Sequence, residues 1–393
     1  MAEALSSPAP QRLVSLDALR GFDMCWILGL GGVVENLSAR FIPGTPVAEV
    51  IKTQFDHVEW EGFHFEDLIF PLFLFIAGVS MAIALPKRLA RNGKAKTLGH
   101  LAARAAIICV VGVIYSGGLS EGWDHVRWLG VLQRIGIASA VAGALFLVLQ
   151  TRGLVAATVA ILAGYYLLLT QIDVPGFGKG DFAEGHNLTD YLDKLYLPGR
   201  AYLGLDHDPE GFLSTLPAIA TALLGVLAGK GLQCSASVSK KVVELILIGA
   251  ALIALGWLWE PYFPVIKKIW SSSFVLVAGG WSAIFLGVFY GIIDGLAGTR
   301  WATPPLKVDS NASVQGALHP GGFAKRLASP FVWVGANPIF LYLASGLGFF
   351  HQITTNIVGQ PGAGWSWVVS LVNFLLMLLT ARWLYKQRVF IRI

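Results

Sequence analysis

Asp67-Leu68-Ile69-Phe70-Pro71-Leu72-Phe73-Leu74-Phe75-Ile76-Ala77-Gly78-Val79-Ser80-Met81-Ala82-Ile83-Ala84-Leu85-Pro86 carries a single charge, at its first residue. A helix needs about 20 apolar residues to cross the hydrocarbon core of a bilayer, and this run meets that length. The same ruler finds further runs at about 21–37, 104–120, 129–149, 153–172, 212–229, 242–260, 272–293, 330–348 and 364–383. The sequence therefore predicts an all-α polytopic membrane protein of about ten transmembrane helices, with residues 1–393 forming one transmembrane domain. Composition agrees. Charged residues make up 13% of the chain and hydrophobic residues 55%, with a mean hydropathy of +0.64. A soluble domain carries roughly 25% charged residues, so a water-facing surface could not be covered. No strand alternation long enough for a membrane barrel is present, and no internal repeat supports an inverted-repeat transporter.

The net charge of +5 does not point to nucleic acid, because the basic residues sit in short loops between apolar runs. Twenty of the 29 Lys and Arg fall on the side that holds the N-terminus, counting Arg104 at the edge of its run, and 18 of the 24 acids fall on the other. The positive-inside rule then puts both termini in the cytoplasm. Residues 38–66 and 173–211 become long outer loops, and 294–329 a Pro/Gly/Ser-rich cytoplasmic linker. No cleavable signal peptide is expected, since the first apolar run follows a polar, Pro-containing head. Cys25, Cys109 and Cys234 have neither CxxC nor Cys/His spacing, so neither a disulfide framework nor a zinc site is expected.

Chemistry concentrates where the first outer loop enters the membrane, in Asp56-His57-Val58-Glu59-Trp60-Glu61-Gly62-Phe63-His64-Phe65-Glu66-Asp67. Histidine takes and returns a proton near neutral pH, and a carboxylate beside it orients the ring. The same segment also reads as an interfacial loop with Trp60 among headgroups. Arg134, with Gln133, lies inside an apolar run, where an ion costs about 2.5–3.5 kcal/mol and needs a partner or a cavity. It is either an interhelical tie, with Asp67 the expected nearest acid, or the cationic wall of a ligand cavity. Asp17 and Arg20, three residues apart, share a helix face and serve as a helix-end pair or as anion contacts. Asn337 precedes Pro338 inside a span, a break tolerated where it lines a cavity. Ser271-Ser272-Ser273 reads as a helix cap. No G-x-S-x-G, Walker A, HExxH or GxGxxG motif in strand–helix context occurs.

Taken in order, six strings resemble one family. They are Arg12-Leu13-x-Ser15-Leu16-Asp17-x-Leu19-Arg20-Gly21, then His57-x-x-Trp60-x-Gly62-x4-Asp67-Leu68-Ile69-Phe70-Pro71, then Leu129-Gly130-Val131-Leu132-Gln133-Arg134-Ile135-Gly136. Asp208-Pro209-Glu210-Gly211-Phe212-Leu213-Ser214-Thr215, Lys268-Ile269-Trp270-Ser271-Ser272-Ser273-Phe274 and Gly335-Ala336-Asn337-Pro338 follow. The chain from about 12 to 345 is similar to the catalytic membrane region of heparan-alpha-glucosaminide N-acetyltransferase and its bacterial relatives. The resemblance implies acetyl transfer across a membrane, from cytosolic acetyl-CoA to the amine of a glucosamine-type sugar, with no metal cofactor. It makes His57 the active-site histidine, supported by Asp67. For such a reaction the residue chemistry offers Trp60, Gln133, Arg134 and Asn337 around the substrate, and Asp17, Arg20, Arg88 and Arg91 for CoA. Where the animal enzyme has a histidine late in the ninth span, Ser345 stands here. A multi-pass protein of a bacterial inner membrane is expected, with lipid, acetyl-CoA and the amino sugar as partners, and a homodimer is left open. The alternative is a secondary transporter of a sugar or small anion that uses Arg134 and the broken ninth span.

Overall fold

The computed structural model describes residues 13–120, 122–205, 207–295, 323–359, 362 and 365–391. Among these there is no strand, only isolated bridges such as Glu61 with Ile266. In lipid, backbone groups find no water, and helices satisfy them internally. The order is α1 (Val14–Cys25), a π-helical segment (Trp26–Leu30), α2 (Gly31–Phe41), α3 (Pro46–Phe55) and α4 (Phe65–Tyr115). There follow α5 (Val131–Val148), α6 (Thr151–Gln171), α7 (Leu188–Tyr196), α8 (Thr215–Leu232) and α9 (Val238–Trp259). The remainder are α10 (Ser272–Phe289), α11 (Phe323–Ala336), α12 (Pro338–Gly346), α13 (Phe349–Val358) and α14 (Ser366–Lys386).

Seven of the described helices are long and apolar enough to cross a membrane, or eight when α11 and α12, bent 77° at Asn337, count as one span. The 51-residue α4 contains the predicted span 67–86 and most of 104–120, ending at Tyr115, and breaks at Gly93, whose φ of 74° suits glycine. Met81 and Leu101, one from each arm, both reach the position of Gly143 on α5. Their meeting there shows that the two arms fold back side by side. The predicted first span, 21–37, lies within the broken run Val14–Phe41, interrupted by π turns and by Gly29 at φ 104°. Counting both arms of α4 and this broken run, the bundle agrees with a count of about ten.

Both long loops hold structure: α3 lies in 38–66 and α7 in 173–211. Ser271 caps α10 by accepting the Phe274 N–H at 3.3 Å, as the sequence suggested. The linker expected over 294–329 falls mostly outside the described residues.

Two glycine crossings bring the site-bearing helices together. A Cβ on Gly335 of α11 would lie 2.1 Å from the Asp17 carbonyl oxygen of α1, and Gly21 meets the Phe331 carbonyl with no room for one. On α4 and α8, Cβ atoms at Gly78 and Gly225 would stand 2.1 and 2.0 Å from the carbonyl oxygens of Ala222 and Phe75. Such contacts let backbones touch where lipid offers no hydrophobic drive between helices. Residues of α1, α4, α11 and α12 line one internal space.

Candidate active site

That space is a cavity of about 710 Å³. His57, Glu66, Asp67, Glu210 and Lys267 line it, and so do Asp17, Arg20, Ser80 and Arg104. The walls between are largely apolar, from Ile69, Phe70 and Phe73 on α4 and Ile135 on α5.

Asp67 organises one end. It stands in the first turn of α4, where a carboxylate accepts free N–H groups and complements the helix dipole. Its Oδ2 accepts the backbone N–H of His64 at 3.0 Å and of Val58 at 3.3 Å. Oδ1 lies 3.0 Å from His57 Nδ1 and 3.2 Å from Lys267 Nζ. Asp67 itself is buried, while the His57 side chain is 57% exposed and faces the cavity. Bonding Nδ1 to a carboxylate fixes the tautomer that leaves Nε2 free to accept a proton.

Lys267 arrives from far along the chain, 210 residues from His57, and its Nζ is 3.0 Å from the His57 Nδ1. Main-chain pairing makes this possible. Glu61 bridges Ile266, and the Gly62 N–H bonds the Val265 carbonyl at 2.8 Å, with Gly62 at φ 125°. Burial pushes the Lys267 ammonium pKa down, against the pull of Asp67. Sequence reading passed over Lys267 as loop charge, and no local signal marks it.

A second polar group forms the neighbouring wall. Arg127 holds Asp208 through Nε at 2.8 Å and Nη2 at 2.7 Å, and Glu210 at 2.6 Å, with the Tyr202 ring 4.8 Å from its guanidinium. Burial raises the Glu210 carboxyl pKa. Burial acts on Asp208 in the same sense, but Arg127 and the Glu210 N–H hold that carboxyl below its usual range. Behind them, burial lifts Asp193 to about 6 although it accepts the Phe212 N–H at 2.9 Å.

Arg134 faces the bundle interior, as expected, and is buried. Its partner differs from the expected Asp67, which is engaged by His57 and Lys267. Arg134 instead bonds the Ser214 hydroxyl and stacks on Trp270, 4.8 Å from the ring centre. It has no ion pair among the described residues, and its Nε and Nη1 have no hydrogen-bond partner there. Trp270, at an unusual φ of 53°, is pinned by this stack and by donating Nε1–H to Thr221 at 3.1 Å.

The other expected substrate contacts stand back from the cavity lining. Gln133 donates to the Arg127 carbonyl at 3.4 Å. Trp60 donates Nε1–H to the Phe182 carbonyl at 2.9 Å, fastening the His57 segment to the 173–211 loop. Asn337 is buried at the break between α11 and α12. It donates to the Val389 carbonyl at 2.9 Å and accepts the Ile391 N–H at 2.7 Å, so it binds the returning C-terminal segment.

At the opposite end Arg20 pairs with Asp17 at 3.1 Å, as their spacing suggested, and reaches across to Ser80 of α4 at 2.7 Å. Arg104, counted in sequence as a loop-edge cation, lines the cavity beside them. Arg88 and Arg91 lie near the Gly93 break, outside the lining. Among the described residues no cluster of His, Cys, Asp and Glu suits a metal ion, and the three cysteines are free.

Fold and site together define a polytopic helical membrane protein with an acid–base cluster opening into an intramembrane cavity. The family description "Heparan-alpha-glucosaminide N-acetyltransferase, catalytic" matches residues 12–257, and the chain belongs to this family. It is similar to heparan-alpha-glucosaminide N-acetyltransferase of Homo sapiens, at 31% identity over 298 residues, covering 61% of this chain and 45% of the human protein. The Mus musculus protein of the same name is 27% identical over 404 residues, covering 86% of this chain and 56% of its own length. The chain thus spans about half the length of these curated relatives.

Proposed function

We propose that this chain is a transmembrane N-acetyltransferase. It carries the acetyl group of cytosolic acetyl-CoA to the amine of a glucosamine-type sugar on the extracytoplasmic side of a bacterial inner membrane. The observation that carries this reading is the single cavity lined at one end by Arg20 and at the other by His57 and Asp67. Ser80 and Asp67 are 13 residues apart on α4, about 20 Å at the helical rise, out of a core of about 30 Å. A thioester on a long flexible arm spans that distance while its phosphates stay at the basic end. The excess of basic residues on the Arg20 side supports cytosolic termini.

In this reading His57 Nε2 takes the proton that the acceptor nitrogen loses as it attacks the thioester carbonyl, and Asp67 steadies the imidazolium. Asp17 and Arg20 meet CoA within the cavity, and Arg88 and Arg91, outside its lining, meet its phosphates beyond, since guanidinium suits phosphate. Trp60, Gln133, Arg134 and Asn337 play supporting parts, because their bonded atoms hold the walls.

The test uses purified protein in detergent. Acetyl-CoA should raise the melting temperature more than CoA or ATP does, and glucosamine should then be acetylated without any ion gradient. Failure to bind acetyl-CoA overturns the proposal. The 77° break between α11 and α12 favours a second reading, a secondary transporter. That reading requires proteoliposomes to accumulate labelled sugar with no acetyl donor present.

A further inference from the structure

Acyl transfer from a thioester moves two protons, and His57 answers for only one of them. The acceptor nitrogen must lose a proton, and the departing sulfur must gain one. Lys267 is the only Lys, Arg or His side chain among the described residues within 4 Å of both His57 and Asp67. Its Nζ is 3.0 Å from His57 Nδ1, 3.4 Å from His57 Nε2 and 3.2 Å from Asp67 Oδ1. The side chain is 22% exposed, and it lines the cavity.

Resting on the acetyltransferase reading, we propose that Lys267 is a second catalytic residue, the general acid that protonates the leaving thiolate of the acetyl donor. The acceptor nitrogen forms its bond to the carbonyl carbon and passes its proton to His57 Nε2. The carbon–sulfur bond breaks, its electron pair goes to sulfur, and the sulfur takes a proton from the Lys267 ammonium. The imidazolium then returns the proton on Nε2 to the neutral Lys267 amine, 3.4 Å away, and keeps its Nδ1–H on Asp67. Free amine and thioester become amide and thiol, no proton is left over, and both residues end as they began.

The surroundings suit this exchange. An ordinary lysine, near 10.4, is a weak acid beside a thiol near 8.5, and a general acid works best when its pKa is close to that of the group it protonates. Burial lowers the Lys267 pKa toward that of the thiol, while Asp67, Glu210 and Glu66, the acids that face it, keep it from losing its proton outright. The pairing of Gly62 N–H with the Val265 carbonyl fixes the lysine loop against the histidine loop, so the geometry does not depend on a flexible contact.

The experiment varies the leaving group. Acetyl transfer to glucosamine is measured with acetyl-CoA and with an acetyl thioester of an aryl thiol, whose sulfur departs without help. Lys267→Met should slow the alkyl thioester by 10²-fold or more, in the range removed with a general acid, and slow the aryl thioester by less than fivefold. Lys267→Arg keeps the charge but cannot release a proton near neutral pH, and it should be as poor as Lys267→Met on acetyl-CoA. Acetyl-CoA-dependent thermal shifts report whether each variant is folded and binds donor. Equal defects on both donors, or recovery of activity in Lys267→Arg, overturn the acid role in favour of simple charge stabilisation. If both variants are unfolded, Lys267→Gln is measured on the same two donors against the same criterion. A wild-type chain that transfers no acetyl group overturns the acetyltransferase reading itself, and this proposal with it.

Discussion

Replacing Asp67 with asparagine tests the catalytic geometry at its centre. The carboxylate receives two backbone N–H groups, the His57 Nδ1–H and the Lys267 ammonium, at 3.0–3.3 Å. Asparagine offers one accepting oxygen and one NH₂ that only donates. The backbone groups at 3.0 and 3.3 Å keep the carbonyl oxygen, so the NH₂ turns toward His57 and Lys267. His57 must then present a bare Nδ1 and carry its proton on Nε2, the wrong tautomer for a base. In the serine protease triad, the equivalent substitution lowers kcat about 10⁴-fold. His57 is more exposed than a triad histidine, and solvent can restore some of the correct tautomer. The expected loss here is therefore about 10³-fold in kcat, with the KM for acetyl-CoA changed less than threefold. Two charge-assisted hydrogen bonds also go, at about 1.5–3 kcal/mol each before asparagine's own bonds are counted, so the melting temperature should fall. The assay is acetyl transfer to glucosamine in detergent, run for Asp67→Asn, His57→Ala and the double variant. The two losses should not multiply, because both substitutions disable one unit. Activity of Asp67→Asn within threefold of wild type, or fully multiplicative losses, would refute the role given to Asp67.

His57→Ala should abolish transfer while leaving the acetyl-CoA thermal shift intact, since a catalytic group acts on the transition state more than on ground-state binding. His64→Ala should keep most activity, because its link to Asp67 is through its backbone N–H; a dead His64 variant beside an active His57 variant would move the chemistry from His57 to His64. Arg127→Met strands Asp208 and Glu210 as buried acids and should cost about 3–5 kcal/mol, read in thermal or denaturant melts and partly restored by adding Glu210→Gln. Asp193 has a folded pKa raised from 3.8 to about 6, so the folded state holds its proton more tightly than the unfolded chain. The unfolded chain ionises here from about pH 4 while the folded state keeps the proton to about pH 6, so stability falls as pH rises through that window, on the order of 3 kcal/mol. In melts across that window, Asp193→Asn should flatten the pH dependence; a variant profile parallel to wild type refutes the assignment.

Residue type and spacing alone were enough to find the spans, because a chain in lipid must bury its own backbone hydrogen bonds and writes that need as long apolar runs. The ruler did not see that two spans meet at a break at Gly93 with helix running up to it on both sides, nor that the first span is broken by π turns, since neither changes hydropathy. His57 and Asp67 were legible because titratable groups at a membrane edge stand out against apolar neighbours, and the Asp17–Arg20 pair because i, i+3 residues share a helix face. Arg134 announced that it faced inward, through its cost in lipid, but not its partner, because an ion's partner lies on another helix. The same reason hid Lys267 and Arg104. Each looked like ordinary loop charge, and only the packing of the 264–271 loop on the 57–62 segment, and of the second α4 arm beside α1, brought them to the cavity. Asn337 marked the helix break correctly, but its amide bonds residues 389–391. One-dimensional spacing carries the periodicity of a helix, and which helix faces which is settled by side-chain volume at crossings such as Gly21 against Phe331 and Gly335 against Asp17.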